Sequence, residues 1–200
     1  MLHSHPVFDA LLSGTKALSV ALGFRDQATQ QHADRVVGLS QALGHACQLT
    51  LAELSLLRVA ATFHDVGKIG IPDRILHKPG RLDSDERQQM QLHSEIGERI
   101  VAASELDGAD SAARIIRHHH EHFDGRGYPD GLAGESIPMC SRIISVCDSY
   151  DAMGAARTYQ NTRSHRDIMA ILAEESGSKH DPAVVRAFSE LIGSNPYRIA

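Results

Sequence analysis

The residues of this chain that could do chemistry are imidazoles and carboxylates. Thirteen histidines stand among 200 residues that contain no Trp and only 4% aromatic content. Three of them open the stretch RHHHEHFDGRGYPDG, an adjacent pair His64-Asp65 closes AATFHD, and His93 lies between these two groups. Asp148 and Asp151 follow in SRIISVCDSYDAM. A histidine run taken alone reads as a polar helix end feeding a loop, and a lone His-Asp pair carries little. Their company changes the reading. Carboxylates at i and i+3 share one helix face, and this helix also carries Ile143, Ile144 and Val146. Burying the carboxylates there is costly unless they are paired or bound to a cation. Imidazole with carboxylate suits Mn, Fe, Co, Ni or Zn, whereas an all-oxygen set points to Mg or Ca. With three or four ligands per ion the set is large enough for two metals, and one Asp can bridge a pair at roughly 3.5–4 Å.

Those residues need elements to hold them, and helix signals recur along the chain while strand signals do not. Phe8, Leu11, Leu12, Leu18 and Leu22 form one apolar stripe over Val7 to Leu22. A helix is predicted from about Asp26 to Leu43, stopped by Gly44, with His32 and Val36 one turn apart. The next opens at Thr50 with a capping box to Glu53, ends near Gly67, and carries His64 and Asp65 in its last turn. Pro72 suits the first turn of a short helix, Asp83 and Glu86 repeat the capping box, and a further helix runs from about Ser94 to Ala103. Ala109 to His119, Pro138 to Met153, and starts at Ser164 and Asp181-Pro182 complete the series. Between His122 and Ile137 lies a glycine-rich segment of roughly 16 residues without periodicity, a length at which structureless loops are usually functional.

The expected fold is therefore all-α, a single helical domain of residues 26–200 preceded by an N-terminal helix in 1–25. A chain of 200 residues with 42% hydrophobic content can bury one good core. No apolar run of about eighteen residues is present, and MLHSHPVFDALLSGTK has neither a basic nor a long apolar leader region, so a soluble cytoplasmic protein without membrane contact is expected. Cys47, Cys140 and Cys147 are odd in number and lack CxxC spacing, and read as small core residues. The net charge of -5 argues against DNA binding, which needs a basic surface.

The segments HDVGKIGIPDRILHKPG and HHEHFDGRGYPDGLAGESIP resemble the HD-GYP family, the branch of the HD superfamily known for hydrolysis of cyclic di-GMP. The similarity spans about residues 26–192 in order and spacing. It implies a helical-bundle HD-type domain with a long irregular GYP loop. It also implies that Asp65 bridges two divalent transition metals, Fe or Mn first and Ni, Co or Zn as alternatives. His93, His119 and His120 would complete one site, and His64 with Asp148 the other. His32 matches the family's first histidine, as ligand or supporting residue; Ala28 stands where family members with three metals carry Glu, which favours two. His118 and His122 match no ligand and are expected at the surface or supporting the ligands.

By the same resemblance Lys68 lies near the activated water and the phosphate, with Asp151 as its partner or a proton carrier. Arg157 matches an arginine that contacts a substrate phosphate, while Gln160 stands where many members have a second basic residue. Gly127, Tyr128 and Pro129 belong to the loop that shapes the site and contacts diguanylate cyclases of the GGDEF type. The reaction implied is metal-dependent opening of cyclic di-GMP, with either pGpG or GMP as the end product. Its alternatives are a phosphodiesterase for another cyclic dinucleotide, such as cyclic GMP-AMP, and a silent sensor or interaction module. The helix of residues 7–22 is expected to be either a coupling helix or the contact of a homodimer.

Overall fold

A computed structural model of the chain describes residues 11, 18, 20–24, 27–154 and 163–199, the side chains of 27–30 excepted. Residues 20–24 are helical. Helices follow as α1 (Gln27–Ala46), α2 (Leu51–Phe63), a 3-10 turn (Val66–Gly70), α3 (Asp73–Leu76), α4 (Ser84–Gln91), α5 (His93–Ala102) and α6 (Ala109–Arg117). A second 3-10 turn (Gly134–Ser136) interrupts the long loop before α7 (Met139–Gly154), α8 (His165–Glu174) and α9 (Pro182–Ile192). Among the described residues there is no strand, only isolated bridges at Asp124–Ala133 and Ser176–His180. The all-α expectation holds. No helix of the described residues is long and apolar enough to cross a membrane.

The helix starts follow the local chemistry read from the sequence. Thr50 Oγ1 accepts from the Glu53 amide at 3.3 Å while Glu53 Oε2 accepts from the Thr50 amide at 2.8 Å. Asp83 and Glu86 make the same reciprocal pair at 2.9 and 3.0 Å. Ser164 accepts from the Asp167 amide, and Asp181 from that of Ala183 ahead of a helix whose first residue is Pro182. Each cap satisfies orphan donors and contributes about 1 kcal/mol.

Three helix ends differ from expectation. Gly44 does not stop α1, which continues to Ala46. A Cβ at Gly44 would lie 2.8 Å from Leu57 Cδ2 and 2.9 Å from Leu54 Cδ2, so the glycine serves the close approach of α1 to α2. The helix α2 ends at Phe63, and Asp65 adopts φ -99° and ψ 3° before the 3-10 turn. His64 and Asp65 thus stand beyond the helix. In the same way α6 ends at Arg117, leaving His119 and His120 outside it.

The core joins α1, α2, α6, α7 and α9 through residues such as Leu39, Leu43, Leu57, Phe63, Ile116, Ile143, Tyr150 and Phe188. Leu11 is fully buried in it and Leu22 is 6% exposed, while Phe8 and Leu12 of the same stripe lie outside the described residues. Cys140 and Cys147 are buried in this core and Cys47 packs against it; all three are free thiols. The helix pairs α1·α2, α1·α7, α2·α6 and α5·α6 pack together. The chemical residues gather where the ends of α2 and α6 and the start of α5 meet α1 and α7.

Candidate metal centre

Three histidines enter the site from helix boundaries. His64 follows the last residue of α2, His93 is the first residue of α5, and His119 lies just past α6. Each accommodates the carbonyl three residues earlier with Nδ1: His64 to Ala61 O at 2.8 Å, His93 to Met90 O at 2.8 Å and His119 to Ile116 O at 2.5 Å. A carbonyl only accepts, so Nδ1 carries the proton and Nε2 is left with its lone pair. This is the arrangement that metal-ligating histidines adopt. Burial, then the charges of neighbouring imidazoles, pushes His119 down to about 3. His93 and His120 are lowered as well, burial being the largest cause in both. The rings stay neutral and available as donors.

The Nε2 atoms converge. His93 Nε2 lies 3.5 Å from His119 Nε2, and the His93, His119 and His120 rings contact one another with centroids 3.9 to 5.4 Å apart. A second group joins His32, His64 and Asp148, and in each triad one ligand atom per residue lies within 4.8 Å of the others. His64 Nε2 is fully buried without a hydrogen-bond partner. Between the triads sits Asp65, 4% exposed, with Oδ1 3.5 Å from His93 Nε2 and Oδ2 3.5 Å from His64 Nε2. Burial favours its neutral acid, but Lys68 and then the His64 and His93 rings outweigh this and hold the carboxyl well below its usual range. Asp148 is likewise held down against burial, first by its hydrogen bond to His32. An orphaned buried nitrogen, neutral rings and ionised carboxylates fit divalent metals.

His32 comes from the middle of α1. Its Nε2 is 2.9 Å from Asp148 Oδ1 and its Nδ1 2.7 Å from Asp151 Oδ2. Burial lowers its pKa, but the two carboxylate hydrogen bonds outweigh this and raise it to about 10. Asp151 also receives Arg35 Nε on Oδ1 at 2.6 Å and Nη2 on Oδ2 at 2.9 Å. Lys68 Nζ donates to Asp65 Oδ2 at 2.6 Å. Lys68 thus donates to Asp65, while Asp151 is engaged by His32 and Arg35.

Two close approaches make the convergence possible. A Cβ at Gly67 would fall 1.9 Å from His93 O and 2.5 Å from Gly97 N, so the 3-10 turn of the HDVGK segment rests directly on the backbone of α5. A Cβ at Gly127 would fall 2.1 Å from the His122 amide and 2.5 Å from Glu121 Cα, which brings the loop onto the chain just past His120. Tyr128 then tilts over His120 with ring centroids 4.9 Å apart, ahead of a cis bond to Pro129. Burial pushes the Tyr128 hydroxyl pKa up.

His118 is not at the surface. It is 7% exposed, and its Nε2 lies 2.8 Å from Asp130 Oδ2. Arg117 grips the same carboxylate with Nε and Nη2, both at 2.7 Å, and Glu121 Oε1 accepts the Asp130 amide at 2.7 Å. His118, Glu121 and Asp130 could by composition hold an ion. The guanidinium already occupies both Asp130 oxygens, so the group acts as a clasp on the loop. His122 is half-buried. Arg157 and Gln160 lie outside the described residues. Sequence reasoning missed Arg35, although its position one turn after His32 was a signal, and it missed the pairing of Gly67 with Gly97.

The helical fold, with one all-imidazole triad and one imidazole–carboxylate triad on either side of Asp65, has the features of an HD-type domain. The chain belongs to the HD domain family, whose profile matches residues 16–184. Phosphohydrolases of this family bind divalent metals. A cyclic di-GMP phosphodiesterase of Thermotoga maritima is 38% identical over 92% of this chain and 50% of its own length. A 3'3'-cGAMP-specific phosphodiesterase of Vibrio cholerae is also 38% identical, over 86% of this chain and 33% of its own. The chain thus spans half or less of these relatives. Among solved structures, a cyclic GMP-AMP phosphodiesterase of V. cholerae superposes with a TM-score of 0.69 at 19% identity, over 98% of this chain and 50% of that one. The HD domain of a Listeria monocytogenes phosphodiesterase, solved with cyclic di-AMP, gives 0.57 at 15% identity over 94% and 93%. These two likenesses establish the fold.

Proposed function

We propose that this chain is a phosphodiesterase that opens cyclic di-GMP to pGpG with the help of two divalent metals. The observation that carries the proposal is the setting of Asp65, which offers Oδ1 to the His93 side and Oδ2 to the His64 side at 3.5 Å each. On this reading His93, His119 and His120 would hold one ion and His64 with Asp148 the other, joined by His32 once the ion displaces the proton that its Nε2 shares with Asp148, and Asp65 would be shared. The imidazole-rich set favours Fe or Mn over Mg or Ca, with Ni, Co and Zn acceptable to the same ligands. Bound ions there supply Lewis acidity, polarising a phosphate oxygen and lowering the pKa of water toward neutrality.

The chain's own residues supply position and charge. Lys68 keeps an ammonium against Asp65 with its side chain 24% exposed, a point charge within reach of a phosphate oxygen as negative charge develops there. Asp151 holds His32 in orientation and is engaged by Arg35, which favours a supporting role over proton transfer. Tyr128, with Gly127 and Pro129, walls the site beside His120 and limits its access to water. Arg157 is assigned a substrate phosphate, for which a planar guanidinium can make two hydrogen bonds. A cyclic dinucleotide substrate belongs in the cytoplasm, where such messengers are made. The exposed Arg126 of the loop, 86% exposed, is where a GGDEF-type cyclase would meet it, and Phe24, 91% exposed, supports pairing of two copies through the N-terminal helix.

A second reading, preference for cyclic GMP-AMP, is favoured by the equal 38% identity to the cGAMP-specific relative and by Gln160. The test is separate incubation of metal-loaded protein with cyclic di-GMP and with 3'3'-cGAMP, with chromatography of the products. A higher kcat/KM for cyclic di-GMP, lost in Asp65→Ala, is expected. The reverse preference transfers the assignment to the second substrate, and tight binding of either without turnover moves it to a sensor.

A further inference from the structure

His32 is held by a different means from His64, His93 and His119. In the His93–His119–His120 triad the Nδ1 atoms of His93 and His119 rest on backbone carbonyls. These histidines can do so because each sits at a helix boundary, where carbonyls are left over from the helical ladder. His32 lies inside α1, whose carbonyls are engaged in the helix itself, so a side chain must orient it. That side chain is Asp151, from α7, at 2.7 Å. A carboxylate on one hydrogen bond can still swing about its own torsions. Here Arg35, one turn after His32 on α1, closes the link by taking both oxygens of Asp151, Nε on Oδ1 at 2.6 Å and Nη2 on Oδ2 at 2.9 Å. A bidentate guanidinium fixes the plane of a carboxylate as a single donor cannot.

We infer that Arg35 is a positioning residue for metal binding: it locks Asp151, and through Asp151 it aims His32 Nε2 at the place shared with His64 and Asp148. The inference rests on the two-metal reading above and adds an asymmetry to it. The subsite built on His32 depends on an ionic link between α1 and α7, and the subsite built on His93 does not. Arg35 touches neither the reacting atoms nor the other triad, so its loss acts on one ion alone.

Titration of the chelator-treated full chain with Mn(II), followed by calorimetry, reads this directly. The wild type is expected to bind two equivalents. Arg35→Ala and Asp151→Asn should each weaken one of them by about 10–100-fold, the usual cost of losing a partner behind a ligating histidine, and leave the other unchanged. The double variant should be no weaker than the worse single one, since both act through one link. Arg35→Lys, which keeps the charge and loses the fork, should fall between; should Arg35→Ala fail to fold, Arg35→Lys and Asp151→Asn carry the test. Two equivalents with wild-type affinities in the variants would overturn the inference while leaving the two-metal reading intact. Equal weakening of both equivalents in a variant with a wild-type melting temperature would overturn it as well. A wild type that takes up no second ion would contradict the two-metal reading and the inference with it.

Discussion

At His64, His93 and His119 the commitment of Nδ1 to a carbonyl three residues back decides which nitrogen faces the centre. Such a histidine offers a fixed lone pair without needing a second side chain, so a candidate ligand of this kind can be read from its place near a helix boundary. Asp65→Ala should abolish turnover and lower bound metal, because both triads lose a carboxylate oxygen; metal analysis and a hydrolysis assay check it, and retention of both would remove the shared role. Lys68→Ala should leave metal content near wild type and reduce kcat by about 100-fold, the scale of losing one donor aimed at developing charge. An unchanged kcat would exclude Lys68 from the transition state. What the sequence hid at this scale were pairings across the chain. Asp151 and Arg35 are 116 positions apart, and only the folded packing of α1 on α7 joins them. His118 was hidden for the same reason, since its partner Asp130 reaches it by the return of the loop.

Among the elements, the starts of helices were readable because capping is local: Thr50 with Glu53, and Asp83 with Glu86, satisfy donors within one turn. Ends were less so. Gly44 has the residue type of a terminator, yet its lack of a Cβ is used by Leu54 and Leu57 of the neighbouring helix. Gly67 has the same kind of role with a larger consequence, because the backbone it rests on begins at His93. Gly67→Ala should force α5 away from the 3-10 turn, costing about 1–3 kcal/mol by overpacking and reducing metal uptake in proportion to the displaced His93. Denaturant unfolding of the metal-free protein and a metal count measure the two effects, and wild-type values in both would contradict the close approach. The loop is held from its far side by Arg117, whose Nη1 also reaches Glu98 of α5 at 2.7 Å. Arg117→Ala should therefore raise protease cleavage within residues 122–131, read by mass spectrometry, while the helices remain protected.

For the molecule as a whole, one buried group outside the centre sets a pH dependence. His180, 1% exposed, packs on α7 with Nδ1 3.3 Å from Ser145 Oγ; Glu175 Oε2 lies 3.2 Å from its Nε2, yet burial, followed by the nearby Lys179, outweighs that carboxylate and pushes its pKa down to about 3. The unfolded chain binds this proton near pH 6.5 and the folded chain does not until about pH 3. Between those values the unfolded state carries more protons, so stability falls as pH drops, with a slope of about 1.4 kcal/mol per pH unit from this one group. His180→Asn should flatten the loss between pH 6.5 and 4.5 in urea melts of the metal-free protein; an identical slope would show that His180 titrates normally. The class of fold was readable from helix periodicity and from ordered motifs spanning most of the chain. The way the boundaries of α2, α5 and α6 meet the inner faces of α1 and α7 was not, since that is a property of packing.

The central claim is that turnover requires both triads to be filled. The direct measurement is to strip the protein with chelator, add Fe(II) or Mn(II) stepwise under anaerobic conditions, and follow conversion of cyclic di-GMP to pGpG at each step. Hydrolysis is expected to appear with the second equivalent of metal and to be absent at every step in Asp65→Ala. Full turnover in the stripped protein, or at one equivalent with no gain from the second, would contradict it.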